Sequence, residues 1–344
     1  MQQRLFKYKR DPERLPSRQI TERSLRILAL VERFRLLSSQ LIVRLISGNE
    51  DVTYKHLQTL YHRGLINRFA FPRIGNPSEF WYYLDSTPAL DLLAEQGSDP
   101  ATLDYEVVRR NKEKNYAAIM DPACVDEMQG RLLFLKHEAM ISRFHAMLEL
   151  ACTQSAGKIV LTNWQQGASL WDSVKAPKLS YRDNRLCELD EAEKLPHRPD
   201  GFLTLYVRDA PSGEQFRNYF YEADRKNTST TKHNRKLRAH FHYIVKQRLH
   251  QLKYGIERVR AVLIETLDDD WAEQLRTAAE HPGVSGNKPS SLFWFTTSRL
   301  FTEQVEVREG NRTKLLPKFL LNPEIIFQRI WAPPAQQQLY SLFD

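Results

Sequence analysis

The chain has 344 residues, 42% hydrophobic and 27% charged, with a formal net charge of +8. That length suits two domains rather than one small core. No apolar run approaches bilayer length, and the basic start MQQRLFKYKRDPERLPSRQ lacks the apolar core of a signal peptide, which argues against a membrane or exported protein and for a cytoplasmic one. Cys124, Cys152 and Cys187 stand singly, outside any CxxC pair, so neither a disulfide framework nor a zinc site is expected.

Residues 1–19 form a basic arm, and residues 20–97 divide into short regular elements. Thr21 precedes an amphipathic helix with Leu25, Leu28, Val31 and Phe34. Ser38 or Ser39 caps a second helix that Gly48 ends. A third starts at Asp51 or Thr53 and closes at Gly64. LINRFAF and EFWYYL then read as strands joined by the loop PRIGNPS. Three helices and a two-stranded wing predict a winged helix. With Leu57, Leu60 and Tyr61 turned inward, Lys55, Gln58, Thr59 and His62 are expected on the free face of the third helix, as residue types that bond base edges and phosphates. Arg73 in the wing loop is placed to reach an adjacent groove or the backbone. A winged helix used for protein contacts is the alternative. TPALDLLAEQG predicts a further helix, and residues 98–130 a polar connector.

Residues 131–330 alternate helices and strands: a helix from Arg131, a strand KIVLTNWQ, a polar excursion to residue 196, a hairpin, a basic helix, then strand, helix and strand. This order predicts a mixed α/β domain with helices flanking a central sheet. If DAPSG is the hairpin turn, paired residues sum to about 423, which brings Asp200 opposite residue 223, give or take one. Glu222 and Asp224 share a strand face by alternation. Three carboxylates gathered in this way call for a cation, and Asp200, Glu222 and Asp224 are the expected ligands of Mg²⁺ or Mn²⁺. Solvated acids, or pairing with Arg198 and Arg225, are the alternative.

The charge that follows is one-sided. Arg225 to Lys253 holds nine Lys or Arg and no acid, so the rest of the chain sums to −1 (+8 minus +9). Solvated faces normally mix signs, so the run reads as a phosphate-contacting surface of Arg225, Lys226, Lys232, Arg235 and Arg238. Leu237, Phe241, Ile244, Val245, Leu249 and Leu252 supply the stripe that docks the helix. His240 and His242, at i and i+2, point apart and are not expected to form a metal pair.

Pro199-Asp200, a hairpin and Glu222-Ala223-Asp224 within an α-β-β-β-α-β order resemble the PD-(D/E)xK nuclease fold. The winged helix with WYYLD, ALDLLAEQG, KHEAMISRFHAML, RPDGFLTL and FYEADR resembles the replication-relaxation family, over roughly residues 20 to 300. The resemblance implies a winged helix fused to a restriction-endonuclease-like domain. It implies a double-stranded DNA-binding protein of a plasmid or other mobile element, acting in replication, relaxation or mobilisation. Active nucleases of that fold carry Lys two residues after the second acid, where this chain has Asp224. Lys232 or Lys236 is the candidate substitute, and Glu138 on the first helix the candidate additional acid. Mg-dependent cleavage therefore stays open. The alternatives are a non-catalytic regulator, acting as a homodimer, and a scaffold recruiting a relaxase or replication protein. In the tail, residues 331–344, Gln336, Leu339, Leu342 and Phe343 resemble peptides that dock on sliding clamps; packing back onto the second domain is the alternative.

Overall fold

The computed structural model describes residue 10 and residues 19–71, 79–124, 126–182, 185–226, 229–309, 312–319 and 322–343. Most of the basic arm and Arg73 lie outside the described residues. The chain divides into two compact units, residues 1–146 and 147–344, the division falling inside one long helix.

In the first unit, α1 (Glu22–Phe34) buries Ile27, Leu28, Val31 and Phe34 at helical spacing. Strand β1 (Leu37–Ser38) leads into α2 (Ser39–Ile46), which Ser38 caps by accepting from the Leu41 N–H. Asn49 caps α3 (Glu50–His62), which begins one residue before the nearest expected start. Strands β2 (Asn67–Phe69) and β3 (Trp81–Tyr83) complete an antiparallel sheet in the order β1-β3-β2. Helix α4 (Thr87–Glu95) follows. The expected polar connector is largely structured: α5 (Tyr105–Lys114) and two 3₁₀ turns bring Tyr116 and Ile119 into one apolar cluster with Phe69 and Tyr83. Helix α6 (Gln129–Gln154) adds Leu135 and Ala139 to that cluster.

The second unit is built on a five-stranded mixed sheet. Its strands are β4 (Ile159–Gln165), β7 (Gly201–Val207), β8 (Phe216–Ala223), β9 (Ala261–Thr266) and β10 (Phe293–Thr297), in the order β10-β9-β8-β7-β4. β4, β7 and β8 pair antiparallel, while β8, β9 and β10 pair parallel. AVLIET and FWFTT are buried at every position, as strands covered on both faces must be. The expected polar excursion is instead a long hairpin of β5 (Asp172–Arg182) and β6 (Arg185–His197). Its side chains alternate between charged positions and buried Val174, Ala176 and Leu195, so its average polarity hides a strand. Over the sheet lie α7 (Thr230–Phe241), a π-helical turn at His242–Lys246, α8 (Leu249–Tyr254), α9 (Asp269–Ala279) and the short α10 (Pro282–Ser285). Strands β11 (Thr302–Glu309) and β12 (Arg312–Phe319) form a separate antiparallel pair. The overall class is mixed α/β, and among the described residues no helix is long and apolar enough to cross a membrane.

The tail packs on this unit. Trp331 and Leu342 are fully buried, Ala332 bridges Phe295 in the sheet, and the Tyr219 hydroxyl donates to the Leu342 carbonyl at 2.8 Å. Docking on a clamp would have to withdraw Leu342 from this core. Leu342→Ala is expected to cost about 2–5 kcal/mol of stability. Leu339→Ala, at a position 43% exposed, is expected to cost less than about 0.5 kcal/mol. Urea unfolding of the two variants measures the contrast.

Candidate functional site

The β7–β8 register fixes the geometry. Gly201 pairs Tyr221, Phe202 pairs Phe220 and Tyr206 pairs Phe216, a sum of 422 throughout. One step beyond the ladder, the Asp200 N–H donates to the Tyr221 carbonyl at 3.1 Å, and its Oδ2 accepts from the Ala223 N–H at 2.9 Å. Asp200 and Glu222 are thereby brought to the same end of adjacent strands, as the hairpin arithmetic requires.

Helix α7 supplies what faces them. Ser229 caps it by accepting from the Lys232 N–H, and buried Leu237 and Phe241 hold it on the sheet. His233, Lys236 and His240, at i, i+3 and i+7, then line one face. Lys236 Nζ contacts Glu222 Oε2 and lies 4.0 Å from Asp200 Oδ2. His240 Nε2 lies 2.6 Å from Glu222 Oε1, and His240 Nδ1 lies 3.0 Å from Nε2 of His197, the last residue of β6. The His197 ring stacks on Tyr243 at 3.8 Å, nearly parallel. When Glu222 is ionised, one order of tautomers gives each bonded ring N–H an acceptor: His197 Nε2–H to His240 Nδ1, and His240 Nε2–H to Glu222. His197 Nδ1, which has no partner, is then an acceptor rather than a stranded donor.

Burial sets the charges. It pushes Glu222 up to about 8, with Asp200 adding to the rise and Lys236 opposing it. Burial alone would lower Lys236, but Glu222 and Asp200 outweigh it and hold the ammonium protonated above its ordinary range. Burial, reinforced by Lys236, takes His240 down to about 3, and burial with His240 beside it takes His197 well below its ordinary value. The centre is therefore two carboxyl groups, of which Glu222 keeps its proton up to about 8, and one lysine, backed by the neutral imidazoles of His240 and His197.

Asp224 does not join them as a third ligand. It lies just past β8, where Oδ1 accepts from Trp271 Nε1 (2.7 Å) and the Lys226 N–H (2.8 Å), while Oδ2 faces His233 Nδ1 at 3.7 Å. Burial would raise its carboxyl, and the nearby His233 ring with the bond from Trp271 more than offsets that, leaving it below the usual range. Among the described residues no group of three or more His, Cys, Asp or Glu is arranged to hold a metal ion. The expected three-acid site is thus reduced to Asp200 and Glu222. Two carboxylates remain a fitting donor set for Mg²⁺ or Mn²⁺, which commonly take one or two from the protein and fill the rest with water and phosphate.

Other expected residues divide. Lys236, not Lys232, meets the acids; Lys232 is exposed on the first turn of α7. Glu138 lies on the part of α6 that belongs to the first unit, where its charge acts on Tyr116. Arg238 does not project outward: its side chain is 6% exposed, paired with Glu193 at 2.7 Å and bonded to the Pro177 carbonyl, so it ties α7 to the β5–β6 hairpin. Arg235 also pairs with Glu193 but stays 57% exposed. Lys226 is exposed and reaches Asp268 at 3.5 Å, while Arg225 is half-buried. On α3, Thr59 and His62 are buried, against expectation. The exposed side is Tyr54, Lys55 and, partly, Gln58, behind an acidic first turn of Glu50 and Asp51. His62 turns inward because the inward face is wider than the Leu57-Leu60-Tyr61 stripe, taking in Thr53 and His56 as well. The π turn shifts the phase of the docking stripe, so Ile244 is buried and Val245 and Leu252 are exposed.

Sequence reasoning missed His197, His233 and His240. The signal available was the 233/236/240 spacing, which puts both histidines on the lysine's side of α7. The shifts carry a pH signature. Unfolded Glu222 loses its proton near 4.5 and the folded residue near 8, so across that interval the native state holds more protons and stability falls as pH rises. His240 runs oppositely: the native ring is neutral above about 3 and the unfolded ring above 6.5, so stability rises between them. With His197 acting in the same sense, stability is expected to peak near 6.5 and decline towards 8. Glu222→Gln is expected to remove the alkaline decline, read by unfolding in chelator across this range.

No curated protein and no solved structure matches the chain. A model of the replication-relaxation family matches residues 28–259, more than half of its length, and the chain belongs to that family.

Proposed function

We propose that this replication-relaxation protein binds double-stranded DNA of a plasmid or other mobile element, and that its second unit opens phosphodiester bonds at Asp200, Glu222 and Lys236. The observation that carries the reading is the convergence of those three side chains at one end of the β7–β8 hairpin. The order of α6, β4, β7, β8, α7 and β9, with the β5–β6 hairpin inserted, supports a nuclease-like fold whose lysine comes from α7 instead of following Glu222. Asp200 and Glu222 would hold Mg²⁺ or Mn²⁺, which when bound supplies Lewis acidity and an activated water. The Ala223 N–H fixes the Asp200 carboxylate, and His240 fixes that of Glu222. The Lys236 side chain, 39% exposed, offers its ammonium to negative charge developing on an incoming phosphate.

For DNA contact, the three helices and small sheet of the first unit support a winged-helix reading, with Lys55 and Gln58 as the residues able to read bases. Lys226, Lys232 and Arg235 are exposed cations of the second unit that could meet phosphates. Replacing Lys55 and Gln58 with Ala is expected to weaken specific binding more than nonspecific binding, by about 1–3 kcal/mol per lost bidentate contact. Footprinting and competition with random DNA measure this.

A second reading is a non-catalytic regulator, or a scaffold for a relaxase or replication protein. It is favoured by Glu222 being already satisfied by Lys236 and His240. Nicking of supercoiled plasmid with Mg²⁺ or Mn²⁺ separates the two. The nuclease reading expects nicking by the native chain, loss in Asp200→Asn, and DNA affinity that is unchanged or raised in that variant. No nicking by the native chain would leave the second reading standing.

A further inference from the structure

At the opposite end of β8 from Glu222 lies a cavity of about 490 Å³. Arg217, Arg258 and Arg260 line it, with Glu214 and Glu257 as the two acids and Phe216 at its rim. Three cations therefore face two carboxylates. The lining is held from within. The Arg260 N–H donates to the Asn218 carbonyl at 2.7 Å, Asn218 Nδ2 donates to the Arg258 carbonyl at 3.0 Å, and the Thr204 hydroxyl donates to Asn218 Oδ1 at 2.9 Å. Gln251 Nε2 donates to the Glu257 carbonyl at 3.1 Å, pinning the same loop from α8. Arg260 Nε is buried without a hydrogen-bond partner. Phe216 is 61% exposed, an aromatic face that the protein's own core leaves uncovered.

We propose that this cavity binds a phosphate group, carried by a nucleic-acid strand or by a free nucleotide, with Arg217, Arg258 and Arg260 as its cations and Phe216 as the platform for an attached base. Gathered guanidiniums repel one another. Burial lowers Arg260, and Arg258 and Arg217 lower it further, against the pull of Tyr219 and Glu214. A phosphate relieves that repulsion and matches the fork geometry of arginine. Aromatic stacking accepts any base, so the site is expected to be indifferent to sequence. Arg217 and Glu222 stand five residues apart on β8, about 16 Å at strand rise. The cavity is thus a separate site that stands whether or not the acid–lysine centre cuts.

The test uses the full chain in EDTA, which silences any metal-dependent cleavage. A fluorescein-labelled single-stranded oligonucleotide is titrated by anisotropy and inorganic pyrophosphate by calorimetry, against native protein, Arg258→Gln and Arg258→Gln/Arg260→Gln. Arg258 is exposed, so its single variant tests the site without risk to folding. The native chain is expected to bind at least one probe, and the double variant to bind it about tenfold more weakly, with the salt slope for the oligonucleotide falling by about 0.7 per arginine removed. Weakening with the oligonucleotide assigns the phosphate to a strand; weakening with pyrophosphate alone assigns it to a free nucleotide. Binding of neither probe by the native chain, or unchanged binding by Arg258→Gln, overturns the site.

Discussion

Two carboxylates at one end of a hairpin are the constraint from which the second unit follows. The turn sets the register, and the register forces Asp200 and Glu222 together whatever their repulsion. Glu222 sits at 3% exposure, where an uncompensated charge would be costly, so a cation has to arrive from elsewhere in the chain. Lys236 supplies it only if α7 crosses the sheet with one face towards β8. Leu237 and Phe241 press that face down, and Arg238 secures the helix from the far side by pairing with Glu193. The β5–β6 hairpin is therefore more than an insertion: without Glu193 and the Pro177 carbonyl, Arg238 would be a buried, unpaired guanidinium.

The π turn after α7 serves the same geometry. Its bond from the Gln247 N–H to the His242 carbonyl admits an extra residue into the turn. Tyr243 is thereby aimed inward, flat against His197, while Val245 is turned out to solvent. His197 is then clamped between an aromatic face and His240. A chain of three ordered side chains supports the buried carboxylate from β6 and α7 at once.

Much of this was legible from the residues. The hairpin arithmetic located Asp200 against Glu222 within one residue, because strand pairing leaves no other freedom once the turn is chosen. The one-sided charge between Arg225 and Lys253 marked the helix that carries the neutralising lysine. What failed were faces and partners. A stripe of three apolar residues would turn Thr59 and His62 outward, but His56 and Thr53 are buried too: Ser24 Oγ meets His56 Nδ1 at 2.9 Å, and Arg23 donates to the Thr53 hydroxyl. Polar residues satisfied in this way pack like apolar ones, and a hydrophobic pattern cannot see them. Arg238 looks like a phosphate contact in the sequence because its partner lies 45 residues upstream, in a segment whose polarity conceals two strands. Asp224 shares alternation with Glu222 on paper, but the strand ends at Ala223, and alternation ends with it.

The neutrality of His240 decides what the centre can be. A cationic His240 would balance Glu222 by itself and leave Lys236 to Asp200 alone, a closed pair of ion pairs with little to offer a phosphate. Buried at 1% exposure beside an ammonium, His240 cannot hold a second proton near neutral pH. It orients Glu222 through a hydrogen bond while adding no positive charge, so one lysine is shared between two carboxylates. Once Glu222 gives up its proton, near 8, the two carboxylates outnumber the one lysine by a charge. The lysine's partial exposure is what keeps it open to an anion, and both properties follow from which side chains α7 presents at 236 and 240.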